Sequence, residues 1–518
     1  MLIPHGHKPE ILMCMKNTIS FTTSKGNVYL YSPFRNQILL IHPLISIFHQ
    51  ADKDSADLSL LLGANTKHKE ITLGESGLYP AREARAQLSK YRFLKKHGYF
   101  RPVQTVNLNG RLTPIKVEEN LSQIKQIIFE TTEDCNLDCV YCIYSKFYIN
   151  EERGKRNFDP DQARRMLSLI LDKRGPTADN YLIISFYGGE PLKNFKFIRQ
   201  IVEFCLVPKY KHINFRFTMT SNGLLLAKYA GFLALHQMEV SVSLDGDSQS
   251  NMFRVLKNNK SSYNLVVKNI DTVKEKYPDY FDKHITFLTV LHNRNSYGSV
   301  HSFFQERYNK TPLVSAINTV NINEEFKDEF RKTFLEGKRT DSSDSEVMKK
   351  IFLNHPGVKE TADMIEKYSG FVFKNYYQVL SSKTRSKQTR EFIPTATCMP
   401  FSMRLFLTTE GSILPCEHIS RIFEIGKFDS NSITITPDTI SQYYNNFFDK
   451  IQDLCSRCLL AEHCKECIFN TKIETGQPVC EFFTDEKLFS KQMAATLGLI
   501  EQDYKLYQRI IREAFHEK

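Results

Sequence analysis

The chain has 518 residues, which is long enough for two to four domains with sizeable cores. Its hydrophobic content of 41% and charged content of 25% are ordinary for a globular protein. The net charge of +11 is modest for this length, so it permits an acidic partner such as a peptide and does not require a nucleic acid. No apolar segment is long enough to span a bilayer, and residues 1–16 contain no secretory signal core. Composition therefore predicts a cytoplasmic protein, in which twelve cysteines indicate metal binding or catalysis rather than disulfides.

The first hundred residues have the pattern of a small separate module. Apolar and polar residues alternate from Ile19 to Thr23, a turn-forming segment follows, and Val28–Tyr31 is predicted as the returning strand. A later helical pattern ends at Gly98, a residue type that commonly terminates helices. The patterns predict three strands and two helices, at residues 19–23, 28–31, 37–41, 43–49 and 80–97.

Strand and helix patterns alternate through residues 123–322. The strands are predicted at residues 125–131, 181–187, 213–220, 240–244, 285–291 and 313–320. The first helix begins at Asp159, whose carboxylate can cap it, and the others are predicted at residues 194–206, 225–236, 263–276 and 299–308. Repeated β–α units favour a parallel sheet covered by helices, and six units suit a partial barrel. Ligands of such sheets bind at the carboxyl ends of the strands.

A cysteine loop follows the first of these strands. Cys135, Cys139 and Cys142 have C-x3-C-x2-C spacing. Three thiolates can hold three irons of a 4Fe–4S cluster and leave the fourth iron open to a small molecule. A zinc loop is the alternative, but structural zinc takes four ligands, and the next cysteine along the chain is Cys205. The spacing therefore favours an open cluster.

The loop resembles the cluster-binding motif of the radical S-adenosylmethionine (SAM) enzymes, including the aromatic Tyr141 before the last cysteine. The resemblance implies that Cys135, Cys139 and Cys142 bind a 4Fe–4S cluster and that SAM chelates its open iron next to Tyr141. It also implies that an electron from the cluster cleaves SAM to a 5′-deoxyadenosyl radical, which abstracts hydrogen from the substrate.

Two further motifs of that family are matched at the ends of the second and third strands. Gly188, Gly189 and Glu190 resemble the turn that holds the methionine amino group of SAM, because glycines permit close approach and the carboxylate suits an ammonium group. Ser221 and Asn222 resemble the segment that contacts the ribose or carboxylate of SAM. An ordinary strand-to-helix turn is the alternative for this second motif.

The segment Ser243–Gly246, followed by Arg254, resembles a stretch of peptide-modifying radical SAM enzymes. The resemblance implies that Arg254 pairs bidentately with the SAM carboxylate. Asp245 is expected to order its own turn. This chain has Ser250 and Asn251 where the family has a His-Asp pair, so no role of that pair is expected here.

The C-terminal part of the chain is rich in cysteine. Cys398 and Cys416 flank a predicted hairpin over residues 404–414. Five more cysteines follow with C-x2-C-x5-C-x2-C spacing and a last distant member, at Cys455, Cys458, Cys464, Cys467 and Cys480. Two C-x2-C pairs alone most often bind zinc, but seven cysteines do not divide into two complete tetrahedral sites.

This array resembles the SPASM domain, which carries two auxiliary 4Fe–4S clusters. The resemblance implies an outer set, Cys455, Cys458, Cys464 and Cys480. It implies an inner set of only three thiolates, Cys398, Cys416 and Cys467. His418 is a candidate for the open iron of the inner cluster. The predicted cofactors are therefore three 4Fe–4S clusters, one SAM-binding and two auxiliary, together with SAM.

The fold prediction combines these segments into an α/β protein. It comprises a partial (β/α)6 radical SAM barrel, a small N-terminal α+β winged-helix-like domain and a C-terminal Cys-rich SPASM module. The N-terminal module resembles the recognition element of peptide-modifying enzymes, which binds a leader peptide as an added edge strand, and a structural cap is the alternative. The domains are predicted at residues 1–110, 120–322, 323–395 (a helical bridge), 396–485 and 486–518 (a helical tail).

The combined resemblance predicts a radical SAM enzyme that modifies a ribosomally synthesised peptide by hydrogen abstraction. A thioether crosslink is the expected product, with carbon–carbon crosslinking and epimerisation left open. The expected partners are a precursor peptide with a leader and a flavodoxin- or ferredoxin-like electron donor, with no nucleic acid and no membrane. The alternatives are an anaerobic sulfatase-maturating enzyme and a non-catalytic zinc-binding scaffold. The sequence assigns no catalytic acid or base.

Overall fold

A computed structural model describes residues 15–54, 70–72, 78–104, 110–149, 153–174, 181–319, 322–336, 356–368, 398–419, 421–461, 464, 466–474 and 476–516. The chain forms two compact units. The first comprises Met1–Gly110, Phe352–Thr397 and Phe447–Lys518, and the second comprises Arg111–Ile351 and Cys398–Asn446. This division differs from the five predicted domains, because the predicted bridge and the predicted Cys-rich module are each divided between the units. In the described ranges, no helix is long and apolar enough to cross a membrane.

The strands that the structure describes are short, between two and eight residues each. They are β1 Met15–Lys16, β2 Ile19–Thr22, β3 Val28–Ser32, β4 Gln37–Ile41, β5 Glu70–Thr72, β6 Leu78–Pro80, β7 Val103–Gln104, β8 Gln126–Thr132, β9 Tyr181–Gly188, β10 Asn214–Ser221, β11 Glu239–Ser243, β12 Ile285–Leu291, β13 Leu313–Ala316, β14 Arg404–Leu407, β15 Ser412–Leu414, β16 Gly426–Phe428, β17 Ile433–Thr434, β18 Lys472–Glu474 and β19 Gln477–Val479.

The described α-helices separate or follow these strands. They are α1 Pro43–Lys53, α2 Ala81–Lys96, α3 Pro114–Ser122, α4 Pro160–Lys173, α5 Phe195–Cys205, α6 Leu226–Leu235, α7 Tyr263–Lys276, α8 Pro278–His284, α9 Tyr297–Tyr308, α10 Lys327–Phe330, α11 Pro356–Tyr368, α12 Pro437–Arg457, α13 Glu486–Gln502 and α14 Tyr504–Ile510.

The second unit is built on one large sheet. Its described strands lie in the order β13-β12-β11-β10-β9-β8-β14-β15-β16-β17, and β8 to β13 are parallel in chain order. This run confirms the predicted parallel sheet of six β–α units. The helix α4 begins as predicted, because the Asp159 carboxylate accepts hydrogen bonds from Asp161 N and Gln162 N at 2.7 and 3.0 Å. All β8–β13 carboxyl ends therefore face the same edge of the sheet.

The hairpin β14–β15 extends this sheet beyond β8. The predicted hairpin turn is confirmed, with Gly411 at a φ of +91° and Phe406 paired to Leu414. The strand β14 pairs in parallel with β8, with Arg404 opposite Gln126, and no local pattern in the sequence predicts this pairing. The pairing places the segment that carries Cys416 beside the strand that leads to the cysteine loop.

In the first unit, a three-stranded antiparallel sheet has the order β2-β3-β4. One face packs on α1 and α2, where Leu30, Leu44, Phe48, Leu88 and Tyr91 form a buried core. The other face packs on residues of α11 and α13, including Ile365, Phe489 and Met493. Helices from far along the chain thus cover this sheet, and the predicted domain bounds stay predictions. The winged-helix likeness of the N-terminal module and the SPASM likeness of the Cys-rich segment stay predictions.

Candidate active site

The thiol loop, Cys135–Cys142, leaves the carboxyl end of β8 and is held by backbone hydrogen bonds. Asp138 N donates to the carbonyl of Val255 at 2.8 Å, and Val140 N donates to that of Phe253 at 2.9 Å. These bonds tie the loop to the segment that follows β11. The loop conformation is thus fixed by the protein itself.

The three thiols of this loop lie close enough for the charge of one to change the pKa of another. The pKa of Cys139 is raised to about 12, mainly by burial; Arg254 opposes the rise, and the thiolates of Cys142 and Cys135 add to it. Burial is also the main cause of the raised pKa of Cys135, to which Cys142 contributes. Three clustered thiolates in a buried place repel one another, so a bound cationic metal centre would stabilise them. The chemistry of the donor set therefore fits a metal cluster.

One cavity of about 590 Å³, the active-site cavity, brings the predicted residues together. All three loop thiols line it, together with the predicted SAM contacts Tyr141, Gly188, Gly189, Glu190, Ser221, Asn222 and Arg254. They reach it from the ends of β8, β9 and β10 and from the segment after β11. The lining therefore combines Cys135 and Tyr141, which are close in sequence, with residues such as Arg254, which lies more than a hundred positions along the chain.

Gly188 and Gly189 pack closely against backbone atoms, and their predicted contact with SAM stays a prediction. A Cβ atom at Gly188 would lie 2.2 Å from the Thr132 carbonyl oxygen, and one at Gly189 would lie 2.2 Å from the Asp134 carbonyl oxygen. Gly189 N donates to Thr132 O at 2.7 Å, and Glu190 N donates to Asp134 O at 2.9 Å. The glycines therefore let this turn pack against the backbone that enters the thiol loop.

Glu190 connects the carboxyl ends of β9 and β10 in the lining of the active-site cavity. Its carboxylate accepts hydrogen bonds from Leu192 N at 3.2 Å, Ser221 Oγ at 2.9 Å and Asn222 N at 2.8 Å. Burial raises its pKa to about 7, although these hydrogen bonds act in the opposite direction. A carboxylate of this kind can accept from an ammonium group, and its predicted role toward SAM stays a prediction.

Asn222 links the end of β10 to the thiol loop. Its side-chain amide donates to Asn136 Oδ1 at 2.7 Å and lies 3.7 Å from the Cys135 sulfur. Ser221 and Asn222 are thus bound into the wall of the cavity. Contact with a ribose or a SAM carboxylate stays a prediction for both.

Asp245 connects three elements rather than ordering only its own turn. Arg254 donates to it twice, from Nε at 3.0 Å and from Nη2 at 2.9 Å, and both side chains are buried. Tyr141 donates its hydroxyl to the same carboxylate, and Val290 N donates at 3.0 Å. One edge of the guanidinium is therefore occupied, and only its outer edge is left for the bidentate pair with SAM predicted for Arg254.

Arg153 is a site residue that sequence analysis did not identify. Its Nη2 donates to the Cys142 sulfur at 2.7 Å, and its Nη1 donates to the Leu137 carbonyl at 3.2 Å. The three loop thiolates raise the pKa of Arg153 against the opposing effect of burial. A lone arginine in a charged stretch gives no signal in the sequence, because only the folded loop brings it to the thiols.

The hairpin β14–β15 and the segment that follows it form a further wall of the active-site cavity, which the sequence did not predict. Glu130, near the end of β8, accepts from Arg421 Nη2 at 3.1 Å and from Thr409 N at 3.0 Å. Arg421 and Glu417 line the active-site cavity together with Tyr187. Burial raises the pKa of Glu130, and Arg421 opposes this rise. The cavity therefore has charged groups on the side where β14 extends the sheet.

In the first unit, the four cysteines of the predicted outer set are mutual neighbours. Burial raises the pKa of Cys455 to about 12, with further contributions from Cys458, Cys464 and Cys480. A cavity of about 360 Å³ is lined by these four thiols and also by Cys467. Lys16 donates to the carbonyl of Cys458 at 2.6 Å and lowers the pKa of Cys455. This donor set also fits a cluster, and its ligand role stays a prediction.

The predicted inner set is divided between the two units. Cys398 and Cys416 belong to the second unit, and Cys467 belongs to the first. The Cys416 sulfur accepts from His418 N at 3.4 Å, and burial raises the pKa of Cys416 to about 12. In the described part of the chain, no group of three or more His, Cys, Asp or Glu side chains is arranged to hold a single metal ion.

Comparison with known proteins matches one segment of the chain to a family. Residues 129–303 match the Radical SAM superfamily, and this segment is a radical SAM domain. Such a domain implies a 4Fe–4S cluster and SAM. The matched segment begins within β8 and includes the thiol loop, the turn at Gly188–Glu190 and the Asp245–Arg254 pair.

Three curated relatives are similar to parts of the chain. An uncharacterized protein of Methanocaldococcus jannaschii, MJ0907, is 32% identical over 30% of this chain and 48% of its own length. The radical SAM cyclopropyl synthase TigE of Paramaledivibacter caminithermalis is 22% identical over 67% of this chain and 68% of its own length. A cysteine-type anaerobic sulfatase-maturating enzyme of Clostridium novyi is 25% identical over 36% of this chain and 49% of its own length. The chain thus spans about half the length of the first and third relatives.

Among solved structures, native anSMEcpe with bound AdoMet aligns at a TM-score of 0.48 and 16% identity. The alignment covers 75% of this chain and 99% of that one.

Proposed function

We propose that the protein is a radical SAM peptide maturase. The observation that carries the proposal is the active-site cavity, in which the thiol loop, the Gly188–Glu190 turn and the end of β10 line a single space. A cavity of about 590 Å³ is large enough for a cofactor of the size of SAM.

In this proposal, Cys135, Cys139 and Cys142 bind the 4Fe–4S cluster. When bound, the cluster and SAM supply a 5′-deoxyadenosyl radical that abstracts a hydrogen atom from the substrate. Glu190 accepts from the amino group of SAM, and the outer edge of Arg254 donates to its carboxylate. Arg254 is oriented for this purpose by its buried pair with Asp245.

The proposed substrate is a side chain of a ribosomally made peptide. One relative is named for sulfatase maturation and another for cyclopropyl synthesis. In the described sheet of the first unit, β4 pairs only with β3, so its outer edge could accept a leader peptide as a further strand. Leu40 on β4 is 60% exposed, which gives such a strand an apolar contact. Thioether crosslinking is the product that we propose to test first.

The C-terminal cysteines are proposed to hold two auxiliary 4Fe–4S clusters. The outer set is supported by the mutual electrostatic effects of Cys455, Cys458, Cys464 and Cys480. The inner set of Cys398, Cys416 and Cys467 rests on cysteine spacing. Such clusters can accept an electron as a crosslink closes. A flavodoxin- or ferredoxin-like protein is the proposed donor to the first cluster.

Anaerobic purification tests the cofactor assignment. Three 4Fe–4S clusters give a brown protein with about twelve irons per chain. Replacing Cys135, Cys139 and Cys142 by Ala should remove about four irons and abolish 5′-deoxyadenosine formation. Cys205→Ala is the matched control, because this buried cysteine ends α5 and lies outside the active-site lining. A colourless zinc protein would contradict the proposal.

A sulfatase-maturating activity is the second candidate, because one relative that is 25% identical carries that name. The two candidates differ in substrate. Incubation with a sulfatase-derived cysteine peptide and with a leader-bearing precursor, followed by mass spectrometry, separates them. Formylglycine in the first peptide and an unchanged precursor would favour the second candidate.

A further inference from the structure

A second large cavity lies in the N-terminal part of the first unit. It measures about 870 Å³ and is bounded by the C-terminal ends of α1 and α2 and by the turn between β3 and β4. The remaining wall comes from the segments next to β1 and β7, which pair with each other through Lys16 and Val103. We call this cavity the basic pocket.

The basic pocket has a strong excess of positive charge. The described lining residues include five lysines and arginines, namely Arg35, Lys53, Lys95, Lys96 and Arg101. Asp52 is the one carboxylate among them, and it accepts from Lys95 Nζ and, at 2.7 Å, from Tyr91 Oη. Lysine and arginine charges gathered around a concave space attract anions.

The lining also contains an unsatisfied histidine. Neither ring nitrogen of His49 has a hydrogen-bond partner among the described residues, although both atoms are buried. Burial lowers the pKa of His49 to about 4, with help from Lys53 and Lys95, so the ring is neutral at pH 7. Buried polar atoms are normally paired. A bound ligand that accepts the N–H of His49 would satisfy this requirement.

Aromatic rings form the other part of the lining. The guanidinium of Arg101 lies 4.8 Å from the centre of the Phe34 ring, and that of Arg35 lies 5.7 Å from it. The ring centres of His49 and Phe100 are 4.3 Å apart. Stacking on a ring restrains a guanidinium without neutralising it. The pocket therefore offers restrained cations next to apolar surface.

We propose that the basic pocket binds an acidic segment of the peptide substrate, in which carboxylate and apolar side chains alternate. Carboxylates would pair with the lining cations and accept from His49, while apolar side chains would contact Phe34 and Phe100. The identity of the occupant rests on the proposed function. A nucleic acid would instead require cations that follow successive phosphates along a surface, whereas these cations converge on one concavity.

Fluorescence anisotropy of the full-length protein with its clusters tests this inference. The probes are a short labelled peptide of alternating Glu and Leu, its Gln counterpart and a single-stranded RNA of equal length. The double variant Lys53→Glu/Arg101→Glu should bind the Glu peptide at least tenfold more weakly, whereas Lys90→Glu should not change binding. Lys90 is the matched control, since it is exposed on α2 and lies outside the lining. His49→Gln should weaken binding without changing the charge.

Three outcomes of these binding comparisons would overturn the inference. They are equal binding of the Glu peptide by the double variant and the unaltered protein, equal binding of the Glu and Gln peptides, and tighter binding of the RNA. Displacement of the peptide by millimolar inorganic phosphate would assign the pocket to a free anion instead. Formation of 5′-deoxyadenosine is measured on the same preparations. Its absence from the unaltered protein would refute the proposed function alone, because the binding comparison does not depend on SAM cleavage.

Discussion

The substitution Gly189→Ala tests the packing on which the candidate active site depends. A Cβ atom at this position would lie 2.2 Å from the Asp134 carbonyl oxygen and 2.5 Å from the Glu133 carbonyl oxygen. Both obstacles are backbone atoms, which cannot swing aside as a side chain can. The turn after β9 and the backbone entering the thiol loop would have to separate by more than about 1 Å to reach ordinary contact distance.

The expected cost follows from the contacts that this separation breaks. Overpacking of this kind typically costs about 1–3 kcal/mol. The hydrogen bonds from Gly189 N to Thr132 O and from Glu190 N to Asp134 O would lengthen, at about 0.5–1.5 kcal/mol each. We therefore expect a destabilisation of about 2–6 kcal/mol, which for a unit of about 290 residues is a fall in Tm of roughly 3–10 °C. Displacing the thiol loop by this distance should lower SAM cleavage by about a hundredfold.

Circular dichroism melting and 5′-deoxyadenosine formation measure the two effects. Gly498→Ala in α13 is the control, because the nearest atom to its added Cβ is the Ser24 side-chain oxygen, 3.7 Å away. That change should leave SAM cleavage unaltered and raise stability by about 0.5–1 kcal/mol, as an alanine in a helix interior does. An unchanged Tm and full activity for Gly189→Ala would refute the packing argument.

Three further predictions concern single side chains. Asp245→Asn should destabilise the fold by about 3–5 kcal/mol, because it leaves the buried charge of Arg254 without its partner; urea unfolding measures this, and a loss below about 1 kcal/mol would contradict it. Burial raises the pKa of Glu190 to about 7, so the folded state binds its proton more tightly than the unfolded chain does. Its stabilising contribution is present below the unfolded pKa and is lost as the pH rises from about 4.5 through 7. Glu190→Gln should flatten that dependence in melts of the SAM-free protein between pH 4 and 8, and an unchanged slope would exclude Glu190 as its source. Cys480→Ala should leave 5′-deoxyadenosine formation intact and stop peptide modification, as mass spectrometry would show; a normal peptide product would make the outer cluster unnecessary.

Local patterns in the sequence were sufficient for the elements of the radical SAM domain. The period of the apolar residues predicted β8 to β13 and the helices α4 to α7 and α9 to within a few residues, because each element buries one face against the sheet, whereas the short helix α8 was not predicted. The cap at Asp159 and the hairpin turn at Gly411 are short-range features, and both are confirmed. The grouping of Cys135, Cys139 and Cys142 could be predicted without knowledge of the fold, because one short loop carries all three thiols.

Tertiary structure decided the contacts that join distant segments. The purpose of Gly189 is visible only when the backbone of Asp134 lies against it. Arg153 has no motif, and its position next to the Cys142 sulfur results from the path of the folded loop. The same is true of β14, which pairs with β8 although some 270 residues separate them along the chain. Residue types and spacing define what a short segment can do, whereas long-range pairing depends on how whole surfaces fit together. The sequence therefore determined the cysteine spacing on which the proposed metal site rests, and the fold determined which side chains surround those cysteines.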